Sequence, residues 1–194
     1  MISIINYNAG NIRSVLFALD RLGVDYQLTA DPKVIRGADK VIFPGVGAAG
    51  STMAHLRATG LDEVIRGLTQ PVFGICVGMQ LLCSHSEEND VDCLGIFPDK
   101  VKKFRPVNGE KVPHMGWNTI HHNGDSWLSE ATDGEHCYYV HSYYVETGAH
   151  TVATTDYGIT FSACLRKDNF YAAQFHPEKS AKAGEQILSD FLTL

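Results

Sequence analysis

The sequence predicts an α/β fold in which helices flank a mixed, mainly parallel central sheet, built as one domain across residues 1–194. Three observations carry this expectation. In the N-terminal half, short apolar runs alternate with segments whose apolar residues recur at helical spacing, the pattern of a parallel sheet covered on its faces. The C-terminal half breaks into short strand-like runs divided by turn residues, which predicts antiparallel additions to that sheet. With 44% hydrophobic and 20% charged residues, a 194-residue chain falls within the range of one ordinary globular domain.

Residues 2–7 form the first strand candidate, and Ile12, Val15, Leu16, Leu19 and Leu22 then recur at helical spacing until Gly23. A second strand fits residues 25–28, after which Asp31 and Pro32 make an N-cap and first-turn pair for a short helix ending near Gly37. Val41-Ile42-Phe43 is a third strand, ending in Pro44-Gly45-Val46-Gly47, whose glycines let peptide groups approach a ligand closely. Helices over about 48–58 and 61–68 lead to a fourth buried strand at 71–75. In such a sheet ligands bind beyond the strand C-termini. Strand candidates follow at 96–104, 116–121, 136–146, 151–155, 159–165 and 170–175. A last helix, about 181–192, places Ile187, Leu188, Phe191 and Leu192 on one face, against the sheet.

Composition excludes several classes of function. A net charge of -6 with scattered basic residues argues against a sequence-independent nucleic-acid surface. No run approaches the roughly 18 apolar residues of a membrane span, and the N-terminus lacks the basic start of a signal peptide, so a cytoplasmic protein is the expectation. The five cysteines are odd in number and contain no C-x-x-C pair, which indicates neither a disulfide framework nor a zinc ribbon. Nine histidines include no H-E-x-x-H or H-x-x-x-H pair, so no metal site is predicted.

Gly74-Ile75-Cys76-Val77-Gly78 carries the chemistry. It has the spacing of a nucleophile elbow, with cysteine in place of serine, and the flanking glycines let strand and helix pass closely at a sharp turn. The helix start favours thiolate over thiol, and the Val77 N–H can stabilise an oxyanion. Taken alone, Cys76 could equally be a small buried hydrophobe. A thiol nucleophile needs a base with an orienting acceptor. His176-Pro177-Glu178 follows the last predicted strand, where positions i and i+2 share a face, and Pro177 biases His176 toward the extended conformation this requires.

The stretch from Gly74 to Leu82, taken with His176-Pro177-Glu178, resembles the class I (triad) glutamine amidotransferases. Four further stretches resemble the glutaminase subunits of imidazole glycerol phosphate synthases within that family. These are Asn6-Tyr7-Asn8-Ala9-Gly10-Asn11, Pro44-Gly45-Val46-Gly47, Pro113-His114-Met115-Gly116-Trp117-Asn118 and His176-Pro177-Glu178-Lys179-Ser180, with Tyr139-Val140-His141-Ser142-Tyr143 extending the likeness. Two departures stand out. Asn6 replaces the usual aspartate of the first stretch, and Val77 replaces the usual leucine after the nucleophile.

The resemblance implies a flavodoxin-like fold and a Cys76, His176, Glu178 triad that hydrolyses glutamine through a thioester. It assigns oxyanion donors to Gly45, Val46 and Val77, and glutamine contacts to Gly47, Gln80, His141, Ser142 and Tyr143. It implies no cofactor. The ammonia would pass to a separate (β/α)8-barrel cyclase subunit forming imidazole glycerol phosphate and aminoimidazole carboxamide ribonucleotide in histidine biosynthesis. Asn8, Asn11, Met115, Trp117 and Lys179 match interface positions of that heterodimer. The glutaminase is further expected to idle until the barrel binds its substrate, through rearrangement of residues 44–47. The competing readings are the glutaminase of another ammonia-using synthase, a cysteine peptidase, and an inactive binding subunit.

Overall fold

The computed structural model describes residues 1–7, 12–45, 47–106, 109–122 and 127–194. Among these, the first half runs β1 (Ile2–Ile5), α1 (Arg13–Arg21), β2 (Tyr26–Thr29), α2 (Pro32–Arg36), β3 (Lys40–Gly45), α3 (Ala49–Thr59), α4 (Leu61–Arg66), β4 (Val72–Cys76) and α5 (Val77–Leu82). The second half adds β5 (His85–Ser86), β6 (Val91–Asp92), β7 (Lys100–Lys103), β8 (His114–Thr119), β9 (His136–His141), β10 (Tyr143–Val145), β11 (Thr151–Tyr157), β12 (Ile159–Lys167) and β13 (Phe170–Ala173). It closes with a 3-10 turn (Pro177–Lys179) and α6 (Ala181–Leu192).

The central sheet has the order β11-β12-β13-β4-β3-β1-β2. From β13 to β2 every neighbouring pair is parallel, while β12 runs antiparallel to β11 and β13. The mixed, mainly parallel sheet is therefore as expected, and so is the Asp31 cap, whose Oδ1 accepts the Lys33 N–H at 2.8 Å. Val15, Ala18 and Leu19 of α1 are buried, as are Ile187, Leu188 and Phe191 of α6; Leu192 is only partly buried. Phe73 of β4 stacks on Phe191 with ring centroids 5.0 Å apart, fixing α6 to the sheet.

The second half departs from expectation in its pairing. β7 and β10 join β5 and β6 in a separate four-stranded sheet, and β8 and β9 form an antiparallel hairpin of their own. The run 136–146 is broken at Ser142, which lies between β9 and β10. Periodicity marks a segment as extended but says nothing of its partner, so strands of one sheet and of a satellite look alike in sequence.

Glycine sets how closely the layers meet at the C-terminal end of β4. A Cβ on Gly45 would overlap the backbone of Val77 and Gly78, and one on Gly78 would overlap the Phe43 carbonyl. The end of β3 and the start of α5 thus pack main chain against main chain, which no larger residue permits.

Candidate functional site

Cys76 ends β4 and precedes α5 with φ 53° and ψ -110°. This conformation is unfavourable for a residue with a Cβ, costing of order 1–3 kcal/mol. It turns the thiol out of the sheet toward a cleft of about 340 Å³ that Cys76 and His176 both line. Gly74 permits the turn, since a Cβ there would come within 2.7 Å of the Leu82 side chain and 3.1 Å of the Gly78 carbonyl. Val77 is the first residue of α5, so its N–H has no helical partner behind it, and it too lines the cleft.

His176 Nδ1–H donates to Glu178 Oε1 at 2.8 Å, with both side chains under 5% exposed. The route to this contact differs from the one expected. His176 is extended, but Glu178 lies in the 3-10 turn that Pro177 begins, so turn curvature rather than strand alternation brings the carboxylate to the ring. Burial by itself would lower the pKa of His176; hydrogen bonding to the Cys76 sulfur and to Glu178 outweighs it and raises the histidine well above its ordinary range. The arrangement favours an imidazolium beside a sulfur nucleophile. The segment is anchored to β9, because His176 N–H donates to Tyr138 O at 2.9 Å. Ser180 completes the anchor by accepting the Tyr138 N–H and donating to His176 O, at 2.9 and 2.6 Å.

The remaining predicted residues divide into three groups. Gly45, Gly47, Gln80, His141, Ser142 and Tyr143 line the same cleft as the triad. Gln80 is only 2% exposed, so it is no solvated helix residue. Both of its amide hydrogens are committed, to Tyr143 O and Gln174 Oε1 at 2.9 Å each, which leaves its carbonyl oxygen for a ligand. Both ring nitrogens of His141 are also committed, Nδ1–H to Tyr143 O at 2.7 Å and Nε2 to His114 Nδ1 at 3.0 Å, so its ring offers a ligand no nitrogen. Met115 and Trp117 stand apart from the cleft on β8, 62% and 54% exposed, contrary to a core reading of either. Exposed Lys179 holds its Nζ 5.9 Å from the Tyr138 ring centroid, and Trp117 meets the same ring edge-on. Val46, Asn8 and Asn11 lie outside the described residues.

Three further residues line the cleft without a role assigned from sequence: Glu88, and Pro113 and Val140, which lie in stretches that carry the resemblance. Glu88 sits in an acidic run after the elbow helix, and nothing in the sequence singles it out from Glu87, Asp90 and Asp92. Its Oε2 accepts the Ala49 N–H at the start of α3 at 2.8 Å, tying the cleft wall to the segment after Gly47. Tyr7 fixes the other side of that segment, its hydroxyl donating to Pro44 O.

The model of the glutamine amidotransferase class-I family matches residues 3–194. The chain is 60% identical over 194 residues to the imidazole glycerol phosphate synthase subunit HisH of Bacteroides thetaiotaomicron, covering 100% of this chain and 99% of that one. It is 48% identical over 191 residues to the subunit of the same name from Idiomarina loihiensis, covering 98% and 96% of the two chains. Solved structures agree in fold. A crystal structure of a glutamine amidotransferase superposes with a TM-score of 0.76 at 19% identity, covering 100% and 98% of the two chains. The structure of PurLQS from Thermotoga maritima gives 0.70 at 15% identity, covering 99% and 97%. The chain belongs to the glutamine amidotransferase class-I family, among the imidazole glycerol phosphate synthase HisH subunits.

Proposed function

We propose that this chain is a cytoplasmic one-domain glutaminase that supplies ammonia to the cyclase subunit of imidazole glycerol phosphate synthase, a (β/α)8 barrel. The observation that carries the reading is the strained Cys76 elbow opening into one cleft with a buried His176–Glu178 pair. Cys76 Sγ attacks the side-chain carboxamide carbon of glutamine, and the Val77 N–H, with N–H groups of the segment Gly45–Val46, receives the charge on the oxygen. His176 gives its proton to the leaving nitrogen, so ammonia departs and a γ-glutamyl thioester remains. Water then attacks that carbon; His176 takes one of its protons and the sulfur leaves as thiolate. Glutamate is released, its carboxyl proton passing to solvent.

The rest of the cleft suits an amino acid. The free carbonyl oxygen of Gln80 and the carboxylate of Glu88 are acceptors for an α-ammonium, which a peptide substrate would lack within its chain. This favours free glutamine over a peptidase substrate. Gly47 and the main chain of residues 141–143 complete the wall. Trp117, Met115 and Lys179 form an exposed patch on the hairpin and turn that also anchor His176, suited to docking the cyclase with an aromatic anchor and a cation, with Asn8 and Asn11 as further contacts.

The test is glutamine-dependent formation of imidazole glycerol phosphate by the chain mixed with its cyclase. Cys76→Ala should abolish glutamate release while leaving the ammonia-dependent cyclase reaction intact. Glutamine turnover that survives this substitution would overturn the mechanism, and cleavage of peptides with free glutamine ignored would replace it with a peptidase.

A further inference from the structure

We propose that Gln174 is a catalytic residue of this site, its side-chain amide donating a hydrogen bond to the Cys76 sulfur and stabilising the thiolate that attacks and later leaves. The inference deepens the glutaminase reading and rests on it. Gln174 Nε2 lies 3.8 Å from Cys76 Sγ, and the residue is fully buried between the end of β13 and His176. Apart from the His176 ring, the other polar atom near the sulfur is Val140 O, at 4.0 Å, which can serve only a protonated thiol as acceptor. Gln174 alone of these two favours the charged form.

The direction of the amide is dictated by a backbone carbonyl that can only accept. Tyr143 O receives Gln80 Nε2–H, so the Gln80 amide cannot be turned round without setting oxygen against oxygen. The second Gln80 hydrogen then goes to Gln174 Oε1 at 2.9 Å, which leaves Gln174 no choice but to present its nitrogen to the sulfur. The same carbonyl is held in place from its other side. His141 Nδ1–H donates to it, His141 Nε2 accepts from His114 Nδ1–H, and His114 Nε2 accepts from the Asn118 amide at 3.3 Å. His114 is clamped between the rings of Tyr139 and Tyr157, centroids 4.8 and 3.9 Å away. Gln80, Gln174, His141 and His114 are all buried, so the donor facing Cys76 needs no reorganisation when the sulfur becomes charged. Asn118, His114 and His141 act through the carbonyl and are positioning residues.

The consequence is a pH profile of Cys76 reactivity set partly by Gln174. In the full-length chain, alkylation of Cys76 by iodoacetamide, followed across pH by mass spectrometry of the Cys76 peptide, reads that profile directly. Gln174→Met keeps the length of the side chain and removes the donor. The variant should move the pH profile of alkylation upward by about one pH unit and slow alkylation by about tenfold on the acidic side of its midpoint, as a hydrogen bond to a charged group warrants. With the cyclase present, kcat for glutamine should fall by a similar factor with little change in KM. An unshifted alkylation profile in folded Gln174→Met would overturn the proposal. Should that variant not fold, the unaltered chain still decides. The Gln174 side-chain amide protons, read by NMR, should move through the pH range in which Cys76 becomes reactive, and amide signals that stay fixed there would sink the idea. Alkylation reads the sulfur without substrate, so an inactive glutaminase and an uninvolved Gln174 give different results.

Discussion

At the scale of single residues, the proposed mechanism turns on a charged pair made favourable in a buried place. Glu178 gives one oxygen to His176, while its Oε2 is buried without a hydrogen-bond partner among the described residues, so its charge is directed at the imidazole. Glu178→Gln removes that charge but keeps the shape. The affinity of His176 for its proton should fall, so the acid form needed by the leaving ammonia disappears at lower pH. The alkaline limb of the kcat profile should therefore move to lower pH, with kcat reduced by about 100-fold or more, since general acid–base catalysis contributes roughly 10²–10⁴. A limb that stays in place would show that Glu178 does not tune the ring. That Cys76, His176 and Glu178 come together was legible in the sequence because each occupies a short motif with steric logic. Gln174 was not, because a glutamine before a histidine has no spacing signature; its role depends on Gln80, ninety-four positions away.

At the scale of elements, the base is delivered by a turn squeezed between β9 and α6. Gly184, in the first turn of α6, sits so close to the 3-10 turn that a Cβ would overlap the Pro177 carbonyl. Gly184→Ala must push the helix from the turn that carries Glu178. The expected loss is about 1–3 kcal/mol, a fall in Tm of roughly 2–4 °C per kcal/mol for a chain this size, together with reduced kcat. Calorimetry and turnover of the variant check both; an unchanged Tm would mean that the turn yields freely. The helices and parallel strands of the first half could be read because α1 buries one face at helical spacing and β4 is a continuous apolar run buried throughout. The hairpin of β8 and β9 looks in sequence like more of the central sheet, since the run Cys137-Tyr138-Tyr139-Val140 is as apolar and aromatic as a strand of that sheet. Long-range pairing, not local pattern, decides which sheet a strand joins.

For the whole molecule, the buried histidines impose a dependence on pH. Burial depresses His114 to about 4, and burial, with the neighbouring His114 and His176 outweighing the bond to Tyr143, depresses His141 to about 3. Both are neutral when folded, yet each takes up a proton near pH 6.5 when unfolded. Stability is thus intact above pH 6.5 and falls as the pH drops toward 4, by about 1.4 kcal/mol per pH unit for each histidine. Urea unfolding at pH 5 should show a loss of up to about 4 kcal/mol relative to pH 7, roughly half of it absent in His114→Asn. A flat profile between these values would refute it. On the alkaline side the sign reverses. The pKa of His176 is raised on folding, so its contribution is complete below its unfolded value and declines as the pH rises through the folded one. The charge pattern of the sequence revealed none of this, because exposed and stacked histidines are the same letter. The acceptor joining these groups to the nucleophile is the main-chain oxygen of Tyr143, which no point substitution deletes. Variation at position 143 can therefore remodel the wall against which a ligand rests, while the wiring behind it is inherited from the backbone path.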